Sequence, residues 1–311
     1  MSGATRGQRR CGARSDSGAP GAWAGACAVA RWCLAAGRRW LVALVATAGV
    51  VTALQCLSLA LRAGRLCRVP DLGDFLAWAC FGCVQPEPGA RLAERVRFPF
   101  AWMLLVMLPV ALVPALSARA REQDALVVAS GGRGRALAGQ ALAVVVGCLG
   151  LWASVGLACL VAALLVGGDV SLAATDLLGG DLAELSRLTL ARPPYEMGGF
   201  CLGVVCASTG LALLQLGLAQ PLGQRMALVL AAASLAASVF VMTPALPGNL
   251  LMAARSSVFV ACDAISAEGG SYQPGVMAST ACGLGLALAA AGMAVGLAWV
   301  RGRDLLGRDG R

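Results

Sequence analysis

Long apolar runs dominate the order of apolar and polar residues along this chain. Six of them reach about 20 residues, the length that an α-helix needs to cross the ~30 Å hydrocarbon core of a bilayer. The pattern therefore predicts an all-α integral membrane protein whose transmembrane domain covers residues 40–300. The six predicted spans are residues 40–61, 98–118, 137–167, 199–220, 226–247 and 276–300.

The segments that flank this domain have other patterns. Residues 1–20 are polar and rich in Arg, Ser and Gly, which predicts a disordered basic tail. Residues 21–39 mix tryptophan, cysteine and leucine with arginine. That composition favours an interfacial helix, and the alternative is the basic start of a signal-anchor. Residues 301–311 form a second polar tail.

The composition agrees with a membrane protein and limits its chemistry. Hydrophobic residues make up 59% of the chain and charged residues 13%, against about 25% charged in soluble domains. The chain has no histidine, which excludes a Ser-His-Asp triad and histidine metal sites. It also has no lysine, which excludes a Walker-type phosphate loop. We therefore expect no catalytic site and no cofactor.

The distribution of charge predicts the orientation of the chain. With the N-terminus inside, the inner segments hold 16 arginines and five acids, and the outer segments hold nine arginines and eleven acids. The resulting net charges of +11 and −2 satisfy the positive-inside rule. Both termini are therefore expected in the cytoplasm. This distribution accounts for the net charge of +9 by membrane topology, so we expect no nucleic-acid partner.

The predicted spans have no charged residue in their cores. Ion-driven carriers place ionisable groups there, so the pattern argues against a self-powered transporter. Gln55 and Gln215 are the notable polar residues. They either form hydrogen bonds between helices or line a translocation route. Glycine pairs at 199/203 and 292/296 have the i, i+4 spacing that permits close helix packing.

Two other sequence features raise the question of a chemical site. Cys80 and Cys83 form the only CxxC motif, for which structural filling, a disulfide and a metal or redox site are the alternatives. The glycine-rich stretch "ASGGRGRALAG" at 129–139 looks like a phosphate loop. It lacks the required lysine and the βαβ context, so nucleotide binding is rejected.

Four local motifs occur in a fixed order. They are "VRFPFAWMLL" with Phe98, Pro99 and Trp102, the basic loop "VVASGGRGRAL", a segment with Gly248, Asn249, Met252, Arg255 and Ser256, and "VRGRDLLGR" after the last span. This set and the order of the spans resemble the ABC-2 type permeases, the membrane subunits of ATP-driven exporters, and in particular permease-like proteins of Gram-positive bacteria. The chain departs from that pattern at Gly132, where serine is frequent, and at Leu250, where an aromatic residue is frequent.

The resemblance implies a six-helix, type V exporter-like permease in the bacterial plasma membrane. It implies a separate ATPase subunit, and a homodimer or heterodimer of permeases, as partners in moving a lipid, a peptide or a small amphiphile. A non-transporting membrane scaffold or sensor partner is the alternative function. In such permeases the loop between spans two and three couples to the ATPase. Here that loop contains Arg119, Arg121, Glu122, Asp124, Gly131, Gly132, Arg133 and Arg135.

The segment after the fifth span is the second region that the resemblance singles out. Residues 248–275 begin with an apolar stretch, but Arg255 and Asp263 prevent a full span. We therefore predict a re-entrant outer segment around Asn249 and Arg255.

Overall fold

The structure is a computed structural model that describes residues 22–85, 98–117, 126–127, 130–178, 191, 195–260 and 274–306. It consists almost entirely of α-helices, as expected of an all-α membrane protein. The predicted tail 1–20 and the loop residues Arg119, Arg121, Glu122 and Asp124 lie outside the described residues. The helices are α1 (Ala22–Ala36), α2 (Arg38–Arg65), α3 (Leu72–Ala79), α4 (Phe100–Leu116), α5 (Arg133–Val166), α6 (Met197–Leu222), α7 (Gln224–Phe240) and α8 (Ala278–Leu306).

Four of these helices are long and apolar enough to cross a membrane, namely α2, α5, α6 and α8. Helices α4 and α7 are apolar but have 17 residues each, about 26 Å at 1.5 Å per residue. All six predicted spans thus coincide with an apolar helix. Helix α6 lies at the centre of the bundle, since 56% of its 18-residue apolar stretch is buried. The corresponding share of α2 is 17%.

Helices α6 and α8 run parallel and pack backbone to backbone along a line of glycines. A Cβ added at Gly210 would lie 2.1 Å from the Gly285 carbonyl oxygen, and one at Gly217 would lie 1.8 Å from that of Gly292. Without a hydrophobic driving force in lipid, such close approach is what holds membrane helices together. We call this contact the α6–α8 seam. The Gly203 position of the predicted pairs faces Ala281 in the same seam.

Helix α7 ends earlier than the fifth predicted span. The span was predicted to reach residue 247, but the helix stops at Phe240. The chain then forms two 3-10 turns, Pro247–Leu251 and Ala253–Arg255. Asn249 explains the stop, because its amide nitrogen donates hydrogen bonds to the carbonyl oxygens of Val241 and Thr243 at 2.9 and 2.8 Å. In a continuing helix, these two carbonyl oxygens would accept hydrogen bonds from backbone N–H groups. Here the Asn249 side chain takes the place of those donors.

The short helix α3 is fastened to the segment that follows α5. Asp74 is fully buried, and it forms a capping box with Asp71 at the start of the helix. Its carboxylate also accepts hydrogen bonds from the backbone nitrogen and hydroxyl of Thr175 at 2.7 and 2.9 Å. Beside it, β1 (Ala173–Ala174) and β2 (Tyr195–Glu196) form a short antiparallel pair.

The bundle has two ends, which differ in charge. The Arg133 end contains α1, the starts of α2, α5 and α7, and the ends of α4, α6 and α8. The opposite end of the bundle is the Arg255 end. At the Arg133 end, the side chains that the structure describes include seven arginines and no acid: Arg31, Arg38, Arg39, Arg133, Arg135, Arg225 and Arg301. The described part of the Arg255 end has Arg62, Arg65, Arg68, Arg255, Asp71, Asp74, Asp169, Asp176 and Glu196.

Candidate functional site

Arg255 is the centre of a buried hydrogen-bonded cluster, the Arg255 hub. The residue is 1% exposed. Its Nη1 donates to the Ser238 carbonyl oxygen at 2.5 Å and also to Asn249 Oδ1. Its Nη2 donates to the Val239 carbonyl oxygen at 2.9 Å, and its Nε to that of Cys83 at 3.0 Å. Within the described residues, every hydrogen-bond partner of this cation is neutral.

The position of the hub explains how a buried cation is tolerated although no carboxylate of the described residues contacts it. Ser238 and Val239 belong to the last turn of α7. The carbonyl groups of a last turn lack intrahelical partners and carry the negative end of the helix dipole. Arg255 therefore neutralises the end of α7 with its charge and its hydrogen bonds. Burial lowers the pKa of Arg255, an effect that its contact with Cys83 opposes.

The CxxC motif belongs to the same hub. Cys83 Sγ lies 3.1 Å from Arg255 Nη2 and 3.8 Å from Met252 Sδ. Cys80 is buried, and its carbonyl oxygen accepts a hydrogen bond from Ala253 at 2.8 Å. Both cysteines are free thiols. Burial raises the pKa of both, and Arg255 only partly offsets this at Cys83. Neutral thiols are weak nucleophiles and poor metal ligands, so the motif serves packing here.

The segment predicted to be re-entrant is folded into the protein at this end. Asn249 and Arg255 are both buried, and the segment forms 3-10 turns and no α-helix in its described part. The indole nitrogen of Trp102 donates to the Leu251 carbonyl oxygen at 2.9 Å. Two motifs that are far apart in the sequence, around Trp102 and around Arg255, therefore meet in the fold.

The second candidate region is the turn at the Arg133 end. Leu126, Val127 and Ser130 are helical, and Gly131 follows in the left-handed conformation with φ +73°. The backbone nitrogen of Gly132 donates to the Val127 carbonyl oxygen at 3.0 Å. This is a Schellman motif, in which glycine ends a helix without a Cβ penalty. We call this element the Schellman turn; α5 begins directly after it, at Arg133.

The Schellman turn is in contact with two helices. A Cβ at Gly25 of α1 would lie 3.0 Å from the Ser130 carbonyl oxygen. Arg135 Nη1 donates weakly to that same oxygen, at 3.5 Å. Arg133 and Arg135, predicted to belong to the loop between spans two and three, are partly buried in the first turn of α5. Helix α1, the predicted interfacial helix, buries Ala26, Val29 and Cys33 while Trp23 remains 80% exposed.

A polar cavity of about 180 Å³ lies beside this turn, and we call it the Arg133 cavity. The ends of α4, α6 and α8, the starts of α5 and α7, and the Schellman turn form its walls. Its lining residues are Ser117, Val127, Arg133, Ala136, Leu137, Gln140, Ala219, Gln220, Gln224, Trp299 and Val300. Val300 is the first residue of the "VRGRDLLGR" motif, and Arg133 belongs to "VVASGGRGRAL", so the second and fourth sequence motifs also meet.

Three glutamines of this cavity, Gln140, Gln220 and Gln224, were not singled out by sequence reasoning. Gln140 falls at the edge of a predicted span, where an isolated polar residue gives no distinctive signal. The glutamines that were predicted, Gln55 and Gln215, lie within α2 and α6. Their Oε1 atoms are buried and accept no hydrogen bond from the described residues.

The described residues contain no group of His, Cys, Asp and Glu side chains that could hold a metal ion. Comparisons of the chain with protein-family models, with curated proteins and with solved structures found no match.

Proposed function

We propose that this protein is the permease subunit of an ATP-driven exporter of the ABC-2 type, with six membrane-spanning helices and the Arg133 end in the cytoplasm. The proposal rests on the pairing of the four sequence motifs. Two of them meet beside the Arg255 hub, where Trp102 donates to the Leu251 carbonyl oxygen, and two meet at the Arg133 cavity. Such pairing is expected if the motifs mark the two functional ends of one transport unit.

The Schellman turn is the proposed docking element for a separate ATPase. It lies between α4 and α5, the position of the coupling loop in the family that the sequence resembles. The arginine-rich composition of this end supports the cytoplasmic assignment. The chain carries no phosphate loop of its own, so it needs a partner to supply ATP hydrolysis.

Helix α5 gives the turn a route to the opposite end of the bundle. Its 34 residues extend over about 51 Å at 1.5 Å per residue. The turn contacts α1 through Ser130 and leads directly into α5. A displacement of the docked turn would therefore move a rigid helix that packs against α3 at the Arg255 end.

The test is ATPase association with the full-length chain and an R135A variant. Affinity purification from native membranes should retain a protein with a Walker A peptide and measurable ATP hydrolysis. R135A should lower the retained hydrolysis several-fold, because Arg135 contacts the Schellman turn. R65A, which removes an exposed arginine at the opposite end, should leave it unchanged. A non-transporting scaffold would yield no ATPase activity with any of the three proteins.

A further inference from the structure

Two thiols are in contact between helices α2 and α5, and we call them the Cys56–Cys159 pair. The sulfur of Cys56 donates toward that of Cys159 across 3.9 Å. Cys56 is 2% exposed and Cys159 is fully buried. A disulfide bond is ~2.05 Å long. Each sulfur would therefore have to move by about 1 Å for a bond to form, a displacement that rotation of the two side chains can supply.

The contact between α2 and α5 has few other polar links. Ser154 of α5 donates to the Val45 carbonyl oxygen at 3.3 Å, but the same hydroxyl forms a shorter bond of 2.8 Å within its own helix. On α2, Thr52 Oγ1 and Gln55 Oε1 are buried and have no hydrogen-bond partner among the described residues. Non-directional packing therefore holds these two helices together. A covalent bond within the thiol pair would be the strongest link between them.

The position of α2 gives an oxidant in the bilayer access to the pair. Of the four long apolar helices, α2 is the least buried, at 17% of its 18-residue apolar stretch. Leu54 and Leu57, which flank the thiol in the sequence, are exposed on the surface of the bundle. A peripheral helix with few buried contacts separates locally from the bundle at a lower cost than a central helix. Hydroperoxides dissolve in the hydrocarbon region and can reach a pair that opens in this way.

We propose that the Cys56–Cys159 pair is a redox-sensitive lock between α2 and α5, closed by hydroperoxides in the bilayer. A hydrogen bond from one thiol favours the thiolate of the other, which is the reactive form. This sulfur attacks the terminal oxygen of the hydroperoxide, the O–O bond breaks, and a sulfenic acid forms while an alcohol leaves with the thiol proton. The second thiol attacks the sulfenic sulfur, so that the S–S bond forms and water leaves.

The reaction is balanced by the oxidant alone. The two thiols lose two electrons and two protons, and the hydroperoxide is reduced to one alcohol and one water. The lock requires only the packing of α2 against α5, and it does not depend on the transport function.

The experiment maps disulfides in the full-length protein in lipid vesicles after treatment with cumene hydroperoxide. Free thiols are alkylated, and the protein is digested with chymotrypsin, which cleaves at Trp152 and separates Cys148 from Cys159. Mass spectrometry should find the Cys56 peptide linked to the Cys159 peptide, and dithiothreitol should remove the link. Cys148 is the matched control, because it is equally buried in α5 and should remain a free thiol.

Closure of the lock should also stabilise the protein. The two cysteines are 103 positions apart, and a cross-link over so long a loop restricts the unfolded chain. The melting midpoint of the oxidised protein should rise by about 5–10 °C. The rise should be absent in C159A and also in C56A, so the result does not depend on the folding of a single variant.

Four results would overturn the proposal. The first is that both cysteines of the pair remain free after the exposed Cys67 has been oxidised. The second is a disulfide from either of them to Cys80 or Cys201, which would refute the pairing. The third is a Cys56–Cys159 disulfide without a rise in the midpoint, which would show that the bond does not restrain α2. The fourth is an equal rise in C159A, which would assign the effect to another site.

Discussion

Replacing Arg255 with alanine should strongly destabilise the Arg255 end. The variant R255A removes the guanidinium that serves the buried carbonyl oxygens of Ser238, Val239 and Cys83. Each unsatisfied buried acceptor costs roughly 1–3 kcal/mol. Three acceptors at the lower limit give about 3 kcal/mol of lost stability, and the vacated volume of a fully buried side chain adds to this.

The loss can be measured by thermal unfolding of the detergent-solubilised protein, with intrinsic tryptophan fluorescence as the signal. At roughly 2–4 °C per kcal/mol for a domain of a few hundred residues, R255A should lower the midpoint by about 6 °C or more. R255K should fall between the two proteins, since an ammonium group keeps the charge but has only three donors.

The matched control is R225A, which removes an exposed arginine from the start of the same helix α7. An exposed substitution is expected to change stability by no more than about 0.5 kcal/mol. If R255A melted within about 2 °C of the original protein, the carbonyl groups at the end of α7 would not depend on Arg255, and the structural account of the hub would be refuted.

Three other substitutions test separate parts of the fold. G285A should lose about 1–3 kcal/mol by overpacking, because its Cβ would lie 2.5 Å from a carbonyl oxygen of α6. G283A meets nothing within 4 Å, so equal melting of the two variants would contradict the α6–α8 seam. G131A should cost about 1–2 kcal/mol, since φ is +73°, and thermal melting would detect it. Burial raises the pKa of the Asp74 carboxyl in the folded protein. The stability that this shift contributes is fully present at pH values below the ordinary pKa of an aspartate, about 3.9. It is lost as the pH rises through the higher pKa of the folded state. The D74N variant should lack this dependence, and parallel pH–melting profiles for both proteins would exclude it.

The apolar pattern alone determined which segments become helices. A run of about 20 apolar residues must satisfy its own backbone in lipid, and only a helix does this within one segment. The sequence therefore located the apolar helices α2 and α4 to α8, and the arginine count predicted their orientation.

Tertiary structure decided which of these segments meet. The sequence could not show that Arg255 lies at the end of α7, because its partners are backbone carbonyls, which carry no residue-specific signal. It placed Arg133 and Arg135 on the loop between spans two and three, whereas the structure places them, partly buried, in the first turn of α5. Gln140, Gln220 and Gln224 share one cavity only because the ends of five helices converge there. Contacts between distant segments arise from packing, and the period of an apolar helix does not encode them.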